Sequence, residues 1–437
     1  MKYYLAIDIG ASSGRHIIGY EKDGELITDE IYRFPNGMDN VDGHLVWDTD
    51  RLLEEVITGI GESFKKYPKI ESLSIDTWGV DYVIMKGEEE VKPTYAYRDS
   101  RTEAVIDEVH GIVDFAELYA RTGIQFQKFN SIYQLYDDKC AGRLEGATDF
   151  LMIPEYLMYK LTGNKLKEFT NATTTGLVNA DTLRFDRKIW GALGFPAALD
   201  AELMAPGTFV GRLKSDIAKR VGGDLDVVLC PTHDTASAVE AIDMAENSPY
   251  ISSGTWSLLG VKTPKALTDE KSMNSNYSNE GGVGYNRYQK NITGMWIVQS
   301  LRRELCPDMP YGDIAKMATE SSYAETFDVN DDAFSAPESM KGAIDKYLSD
   351  RGKPTPREMG DYFNAAYVSL GVCYGEAIRD MEENTGKVYN EIYIVGGGAK
   401  NGHLNAITEK YTGKRVVALP IEATAIGNIK IQINRSK

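Results

Sequence analysis

An apolar strand that runs into a loop of glycine, serine and threonine occurs twice in this 437-residue chain, once in each half. The first strand, YYLAIDI at 3–9, continues into the loop at 10–14, and the second, YISS at 250–253, continues into the loop at 254–257. A second strand pattern follows each loop, so each half is predicted to begin with a β-hairpin. Few folds repeat such a hairpin, and the chain is therefore predicted to have two similar halves.

Between the hairpins, helix patterns alternate with strand patterns. Apolar residues from Leu52 to Phe64 keep helical spacing, and SLSID at 72–76 is typical of a strand. Late in the chain a buried helix is predicted over 363–381, closed by Gly386, before the strand EIYIV. The alternation predicts an α/β protein with mixed sheets. The predicted domains are 1–243 and 244–437, with the boundary near 243–248.

Composition excludes several classes of protein. The net charge of −17 disfavours nonspecific nucleic-acid binding. No window approaches the apolar length that spans a bilayer, and the first residues lack the pattern of a secretory signal. The four cysteines are far apart in sequence, which argues against a disulfide framework and suits a reducing compartment. We therefore expect a cytoplasmic protein, a monomer or a homodimer, without nucleic-acid or membrane partners.

The two loops have the chemistry of anion sites. In DIGASSGR at 8–15, backbone N–H groups and serine hydroxyls can face a phosphate, and Asp8 can hold Mg²⁺ through water. SSGTWS at 252–257 repeats this chemistry with Thr255. A plain hairpin turn is the alternative for either loop alone. Because the loops occupy corresponding places, they predict a nucleotide held in a cleft between two domains.

Two further segments are candidates for ligand contact. VGGGAKN at 395–401 ends a strand in three glycines, which let a flat ligand approach the backbone, and Asn401 can touch a ligand or cap the next helix. PTHDTASAV at 231–239 sets His233 beside Asp234 among small residues after a short strand. Adjacent side chains leave the backbone in different directions, so a hydrolase dyad is disfavoured. Asp234 is either a helix cap or a functional carboxylate.

Taken in order and spacing, these segments resemble the FGGY carbohydrate kinases of the actin-like ATPase superfamily. The resemblance covers nearly the whole chain. Its more specific part is carried by IDTWGVDYV at 75–83, YRDSRT at 97–102, LYARTGIQFQKFNSIYQLY at 118–136, PTHDTASAV at 231–239 and EATAIGN at 422–428. It implies two actin-like, ribonuclease H-like domains with a central ligand cleft. It also implies an enzyme of rhamnose catabolism that uses ATP and Mg²⁺ to phosphorylate L-rhamnulose at O1.

The resemblance implies a role for each matching residue. Those expected at the ATP phosphates are Ala11, Ser12, Ser13, Gly14, Arg15 and Thr255, with Gln299 along the nucleotide and Gly397 and Asn401 at the adenosine. Those expected at the sugar are Gly79, His233, Asp234, Thr235 and Asn291. Asp234 is the implied catalytic base. A carboxylate suffices as base because phosphoryl transfer has a loose transition state, and an Asp with a pKa of roughly 3.9 is already ionised. His233 would orient the sugar.

Several alternatives stay open. The acceptor could be another ketose, such as L-fuculose or a pentulose. An ATPase that switches shape, like actin or the heat-shock chaperones, is a rival from another class, although the HD segment argues against it. A sugar-binding regulator would be expected to lose the phosphate loops. One of Asp76 and Asp81 is expected to lie beside the sugar or a metal, and the other is expected to fix the loop between them. Arg98 and Arg101 are expected to contact either the ligand or other protein residues.

The last residues form a separate prediction. IKIQINRSK, from Ile429 onward, alternates like a strand and ends basic, whereas family members usually continue as helix past Gly427-Asn428. We therefore expect a shortened, strand-like terminus. The missing helix would expose an apolar face of the second domain.

Overall fold

The computed structural model describes residues 1–244, 248–419 and 422–435. The part of the predicted domain boundary at 245–247 lies outside the described residues. The strands are β1 Tyr4–Ile9, β2 Ser13–Lys22, β3 Glu25–Pro35, β4 Asp39–Val41, β5 His44–Trp47, β6 Ser72–Thr77, β7 Tyr82–Lys86, β8 Glu89–Glu90, β9 Thr94–Tyr95, β10 Asp149–Met152, β11 Lys167–Glu168, β12 Leu203–Met204, β13 Phe209–Arg212, β14 Asp226–Val228, β15 Tyr250–Ser253, β16 Trp256–Thr263, β17 Ser278–Gly281, β18 Asn286–Thr293, β19 Glu391–Val395 and β20 Arg415–Leu419.

The α-helices alternate with these strands, as predicted. They are α1 Thr49–Lys66, α2 Ile106–Ile112, α3 Phe115–Thr122, α4 Ser131–Cys140, α5 Ile153–Thr162, α6 Phe169–Thr173, α7 Arg187–Ala192, α8 Ser215–Val221, α9 Asp234–Ala241, α10 Glu270–Asn274, α11 Trp296–Leu305, α12 Tyr311–Glu320, α13 Met340–Ser349, α14 Met359–Thr385, α15 Gly402–Thr412 and α16 Ala423–Arg435. The predicted helices α1 and α14 are confirmed, and Gly386 ends α14 in a left-handed conformation.

The described residues form two compact units. The first contains 1–242, 263–287 and 423–435, and the second contains the described parts of 243–262 and 288–422. The chain therefore returns to the first unit twice after first leaving it. The predicted limits of the domains, 1–243 and 244–437, stay a prediction.

The first unit is built on a six-stranded sheet in the order β13-β14-β6-β1-β2-β3. β1 pairs antiparallel with β2 and parallel with β6, and β6 pairs parallel with β14. β1 and β6 are buried along their whole length, as expected of central strands covered on both faces. Helices α1, α5 and α8 contribute to the core beside this sheet, among them the fully buried Leu52, Val56 and Ile60 of α1.

The second unit repeats this arrangement. Strands β18-β16-β15-β19-β20 are neighbours in that order, with β15 antiparallel to β16 and parallel to β19. The hairpin β15–β16 thus corresponds to β1–β2, and β19 to β6. The predicted α/β class with two similarly built halves is confirmed.

The predicted strand at the end of the chain is wrong, because Ala423–Arg435 forms the helix α16. Ala425, Ile429 and Ile433, spaced four residues apart, pack with Tyr4, Ala6 and Ile17 of the first unit's sheet. α16 also packs closely against α9: a Cβ on Gly427 would lie 1.7 Å from the carbonyl oxygen of Ser237. The apolar face of α16 is thus buried in the first unit, and the exposure of an apolar face in the second domain stays a prediction.

Candidate active site

Three carboxylates come together where the central strands of the first unit end. Asp8 and Asp76 are partners in the parallel register of β1 and β6. One residue later, Thr77 bridges His233, the residue that precedes Asp234 and α9. The carboxyl ends of parallel strands are where α/β proteins bind ligands. The structure thus brings Asp8 and the His233-Asp234 pair, both predicted site residues, to one edge.

The first loop is a tight hairpin. The N–H of Gly10 donates to the carbonyl of Ser13 at 2.9 Å, and Asn36 holds the loop through the carbonyls of Gly10 and Ser12. Ala11, Ser12 and Ser13 stay wholly or partly exposed. Gly14 is buried under the Phe34 ring, which a Cβ would approach to 2.1 Å, so packing alone requires glycine there.

Arg15 and Asp8 form an ion pair beside this loop. The Arg15 guanidinium lies 2.5 Å from Asp8 Oδ2, and both side chains are largely buried. The pair places one cation and one anion at the base of the predicted phosphate loop. Both predicted residues therefore lie beside this loop, and each has the other as a protein partner.

Asp76 is the most unusual carboxylate of the site. It is fully buried, and its Oδ2 accepts a 2.6 Å hydrogen bond from Asn428 Nδ2 of α16. Among the described residues, no donor reaches its Oδ1. Burial raises the pKa of Asp76 well above its usual range, and the negative charges of Asp8 and Asp234 raise it further. A buried oxygen without a donor, on a carboxylate that interacts with the charges of two others, is a position that a hydrated cation would satisfy.

Asp234 is the first residue of α9, and His233 is its N-cap. Asp234 Oδ1 accepts hydrogen bonds from the N–H of Thr235 at 2.5 Å and from the Thr235 hydroxyl at 3.1 Å. The Asp234 side chain is 33% exposed, whereas that of His233 is 10% exposed. Asp234 is therefore not the N-cap of α9, and its carboxylate is partly exposed.

A buried glutamate that the sequence patterns did not reveal holds the segment before His233. Glu168 Oε2 accepts from the Thr232 N–H at 3.1 Å and from its hydroxyl at 2.9 Å. Glu168 also accepts from Thr170 and the N–H of Asn171, and it is fully buried. A lone Glu in KEFTNAT carries no periodic signal, because its partners are distant in sequence.

The TWGVD loop is fixed by Asp81. Its Oδ2 accepts from the indole N–H groups of Trp47 and Trp78 at 2.6 and 2.9 Å and from the Tyr97 N–H at 3.0 Å, and its Oδ1 accepts from Gln134 at 3.1 Å. Burial raises the pKa of Asp81 to about 6, against the effect of these bonds. Asp81 therefore fixes the loop, and Asp76 is the one that lies beside the other carboxylates.

Gly79 lies within this loop, packed against Thr174. A Cβ at Gly79 would lie 3.0–3.2 Å from three atoms of the Thr174 side chain, so a larger residue would move the loop. Of the two arginines left open, Arg101 has a side chain that is 5% exposed and pairs with Asp137 and Asp138, which identifies it as a loop-holding residue. Arg98 lies over the Tyr97 ring at 5.3 Å from the ring centroid.

The second unit holds the remaining predicted residues. The Thr255 hydroxyl donates to Gln299 Oε1 at 3.4 Å, so two predicted nucleotide residues are adjacent. Gly396 and Gly398 pack against Ser253, whose atoms a Cβ on either glycine would overlap, and Gly397 lies open between them. Asn401 caps α15 by accepting from the Leu404 N–H at 3.0 Å, the helix-capping role left open for it. Asn291 lies half-buried on β18.

The described residues contain neither a cluster of metal-binding side chains nor a helix that could span a membrane. Within 1–244, 248–419 and 422–435, no group of three or more His, Cys, Asp or Glu side chains forms a metal cluster. Mg²⁺ bound to phosphates keeps several waters and needs only one or two carboxylates, so this finding is compatible with Asp8 and Asp76 as ligands through water. No helix in the same ranges is long and apolar enough to cross a membrane.

Comparisons with known proteins place this site in a family. Residues 3–239 match the N-terminal domain of the FGGY family of carbohydrate kinases, and residues 249–434 match its C-terminal domain. The chain belongs to this family and is a sugar kinase. The carboxylates and hydroxyl loops described above therefore belong to a phosphotransferase.

Relatives and solved structures agree with the family. A protein of Oceanobacillus iheyensis named rhamnulokinase is 41% identical, over 98% of this chain and 92% of that relative. A rhamnulokinase of Halalkalibacterium halodurans is also 41% identical, over 99% and 93%. Xylulose kinase from Lactobacillus acidophilus has the same fold, with a TM-score of 0.81 at 16% identity over 100% of this chain and 90% of that one. At that identity the structural likeness shows the fold alone.

Proposed function

We propose that this kinase transfers the γ-phosphoryl group of ATP to O1 of L-rhamnulose, giving L-rhamnulose 1-phosphate and ADP in L-rhamnose catabolism. Relatives at 36–41% identity over nearly the whole chain are named rhamnulokinase, which supports this sugar over L-fuculose or a pentulose. The observation that carries the reaction type is the accessible Asp234 at the strand ends, close enough to Asp76 for their charges to interact.

Asp234 is the proposed base. Its carboxylate takes the proton of the O1 hydroxyl as that oxygen attacks the γ-phosphorus, and the loose transition state lets the proton leave late. Thr235 orients the carboxylate through its N–H and hydroxyl. Gly79, His233, Thr235 and Asn291 remain the proposed sugar contacts.

Asp8 and Asp76 are the proposed holders of Mg²⁺. The orphaned Oδ1 of Asp76 and the neighbouring Asp8 carboxylate fit a cation that keeps its waters. When bound, Mg²⁺ neutralises charge on the phosphate oxygens. The proposed ATP residues are Ala11, Ser12, Ser13, Gly14 and Arg15 in the first unit and Thr255, Gln299, Gly397 and Asn401 in the second.

The proposal is tested by ADP release from Mg²⁺-ATP, without sugar and with each of a panel of ketoses. We expect release with L-rhamnulose, with a product phosphorylated at O1, and a loss of at least about a hundredfold in kcat for Asp234→Asn. Asp107→Asn, the same change at an exposed helix position, is the control and should match the wild type. Preference for another ketose would refute the substrate, and equal release without sugar would favour an ATPase switch.

A further inference from the structure

Glu280 on β17 and Arg287 on β18 form a buried ion pair in the first unit. Arg287 is fully buried and Glu280 is 5% exposed. Arg287 Nη2 donates to Glu280 Oε2 at 3.0 Å, and Arg287 Nε donates to the carbonyl of Gly281 at 2.8 Å. Burying a guanidinium costs free energy and is tolerated only where its partners have good geometry. These two bonds fix the plane and the direction of the Arg287 guanidinium.

The same Arg287 nitrogen lies against His233. Nη2 forms a hydrogen bond with His233 Nδ1 at 3.1 Å. A guanidinium has five N–H donors and no acceptor, so Arg287 donates in this bond and Nδ1 accepts with its lone pair. Because Nη2 has two hydrogens, one serves Glu280 Oε2 and the other serves Nδ1.

Glu280 Oε2 also lies near the ring, 3.2 Å from Nδ1. Within the described residues, however, the hydrogen bond at Nδ1 is the one from Arg287. The positive charge of Arg287 is shared between the carboxylate and the lone pair, and it offsets the repulsion that these two would otherwise exert on each other. The arginine is therefore the group that lets Nδ1 stay unprotonated beside Glu280.

This bond determines which nitrogen of His233 carries the proton. A neutral imidazole has one N–H and one lone pair, so an Nδ1 that accepts leaves the proton on Nε2. Nε2 lies 3.4 Å from Asp234 Oδ1, where an N–H is attracted by the carboxylate and a lone pair would be repelled. That distance is longer than a strong hydrogen bond, so the N–H can also serve a substrate oxygen. Both ends of the ring thus favour the Nε2–H tautomer.

We infer that Arg287 and Glu280 are positioning residues of the sugar site. Together they hold His233 as the Nε2–H tautomer, which donates a hydrogen bond to a sugar oxygen beside the Asp234 carboxylate. The inference rests on the proposed function. It leaves His233 without a lone pair that faces the substrate, because Nδ1 is occupied by Arg287 and Nε2 carries the proton. His233 therefore cannot take the proton of O1, and that step is left to Asp234.

The tautomer is measured near neutral pH on the full-length protein labelled with ¹⁵N-histidine. Long-range ¹H–¹⁵N spectra distinguish Nε2–H from Nδ1–H, and His233→Asn identifies the signals of His233 among the five histidines. We expect Nε2–H, with an unprotonated Nδ1, in the wild type. A wild-type His233 protonated at Nδ1, alone or together with Nε2, would overturn the inference. This result is read on the wild type, whether or not a variant of the ion pair folds.

Kinetics of Arg287→Lys provide the second readout, because lysine keeps the charge beside Glu280 but loses the planar fork that serves three acceptors at once. We expect a mixture of His233 tautomers and a sugar KM raised about tenfold, with the KM for ATP within about twofold. Arg187→Lys, the same change at a side chain that is 88% exposed, is the matched control. An unchanged tautomer and sugar KM in a folded Arg287→Lys would contradict the inference. A wild type that phosphorylates no ketose would instead refute the proposed function, whereas the tautomer would still be read.

Discussion

Val80 has a left-handed backbone, with φ of 67°, a rare conformation for a β-branched residue. Neighbours impose it: the Val80 N–H donates to Thr174 at 3.1 Å, and its carbonyl accepts from Ser131 at 2.5 Å. Backbone strain of this kind persists only where the surroundings over-determine it, and it concentrates at functional sites. Val80 follows Gly79, which is one of the proposed sugar contacts.

Asp81→Asn tests this loop at the scale of one residue. An amide has one acceptor oxygen, so some of the donors from Trp47, Trp78, Tyr97 and Gln134 would lose their partner. We expect a loss of about 1–3 kcal/mol in the free energy of unfolding and a raised sugar KM. Urea unfolding and steady-state kinetics measure the two effects. Equal stability and KM for Asp81→Asn and the exposed control Asp107→Asn would refute the loop-fixing role.

His16 predicts the pH dependence of stability. Its ring is fully buried against Gly59 of α1, and burial lowers its pKa to about 4 from the ordinary 6.5. Below pH 6.5 the His16 side chain takes up a proton in the unfolded chain but not in the folded protein. Its contribution to the free energy of unfolding is therefore fully present above pH 6.5. It declines as the pH falls from 6.5 to 4, by about 3 kcal/mol in all.

His16→Phe isolates this effect, since the variant keeps a ring but cannot titrate. We expect the wild type to lose thermal stability faster than His16→Phe between pH 6.5 and 4, whatever their difference at pH 8. The thermal midpoints of both proteins are compared across this range. The effects of the other ionisable groups are common to both proteins and cancel in the comparison. Parallel pH profiles would show that His16 does not carry the dependence.

At the scale of elements, α16 shows how a short pattern misleads. The isoleucines at 429, 431 and 433 alternate with polar residues as in a strand. The helix period is carried instead by Ala425, Ile429 and Ile433, together with the buried polar residues Asn428 and Gln432. Gln432 donates to the Leu5 carbonyl at 3.0 Å and accepts from Ser72, so polar residues on the buried face bond to β1 and β6.

The helix pattern and the strand pattern predict different losses of stability when Ile429 and Ile431 are substituted. In the helix, Ile429 is fully buried and Ile431 is only half-buried, whereas a strand would place both on one face. We expect Ile429→Ala to lower the free energy of unfolding by about 2–5 kcal/mol and Ile431→Ala by clearly less. Denaturant unfolding of the two variants side by side measures this. Equal costs would favour the strand pattern over the helix.

At the scale of the whole molecule, the chain builds its first unit from segments that are far apart. Helix α10, strand β17 and helix α16 complete a unit whose other elements precede residue 243. Asn428 of α16 donates to Asp76 at 2.6 Å, so the end of the chain supports a carboxylate of the proposed active site. The stability of the first unit and its chemistry are thereby linked to α16.

Truncation after Glu422 tests that link. Without α16, the apolar side chains of Tyr4, Ala6 and Ile17 lose their cover, and Asp76 loses its Asn428 partner. We expect a lower thermal midpoint, binding of a hydrophobic dye such as ANS, and loss of kinase activity. The control is the full-length chain prepared in the same way. A truncated chain with an unchanged midpoint would show that the first unit does not need α16.

The sequence by itself determined the α/β class, the two similar halves with their hairpins, and the family through the segments around Asp8, Gly79, Asp234 and Thr255. These features depend on periodicity, turn chemistry and short motifs, which act between residues close in sequence. Only the tertiary structure decided that Asp81 fixes a loop while Asp76 keeps a buried free oxygen, and that α16 is a helix.

The tertiary structure also supplied Glu168, Glu280 and Arg287, which no pattern in the sequence had marked. Each is a charged residue whose role comes from partners far away in the chain: Glu168 bonds to Thr232, and Glu280 and Arg287 lie against His233. Burial and electrostatic coupling depend on distances in three dimensions, and the sequence records only the order of the residues. Local chemistry therefore determined the family, and long-range packing decided which carboxylates remain available for its reaction.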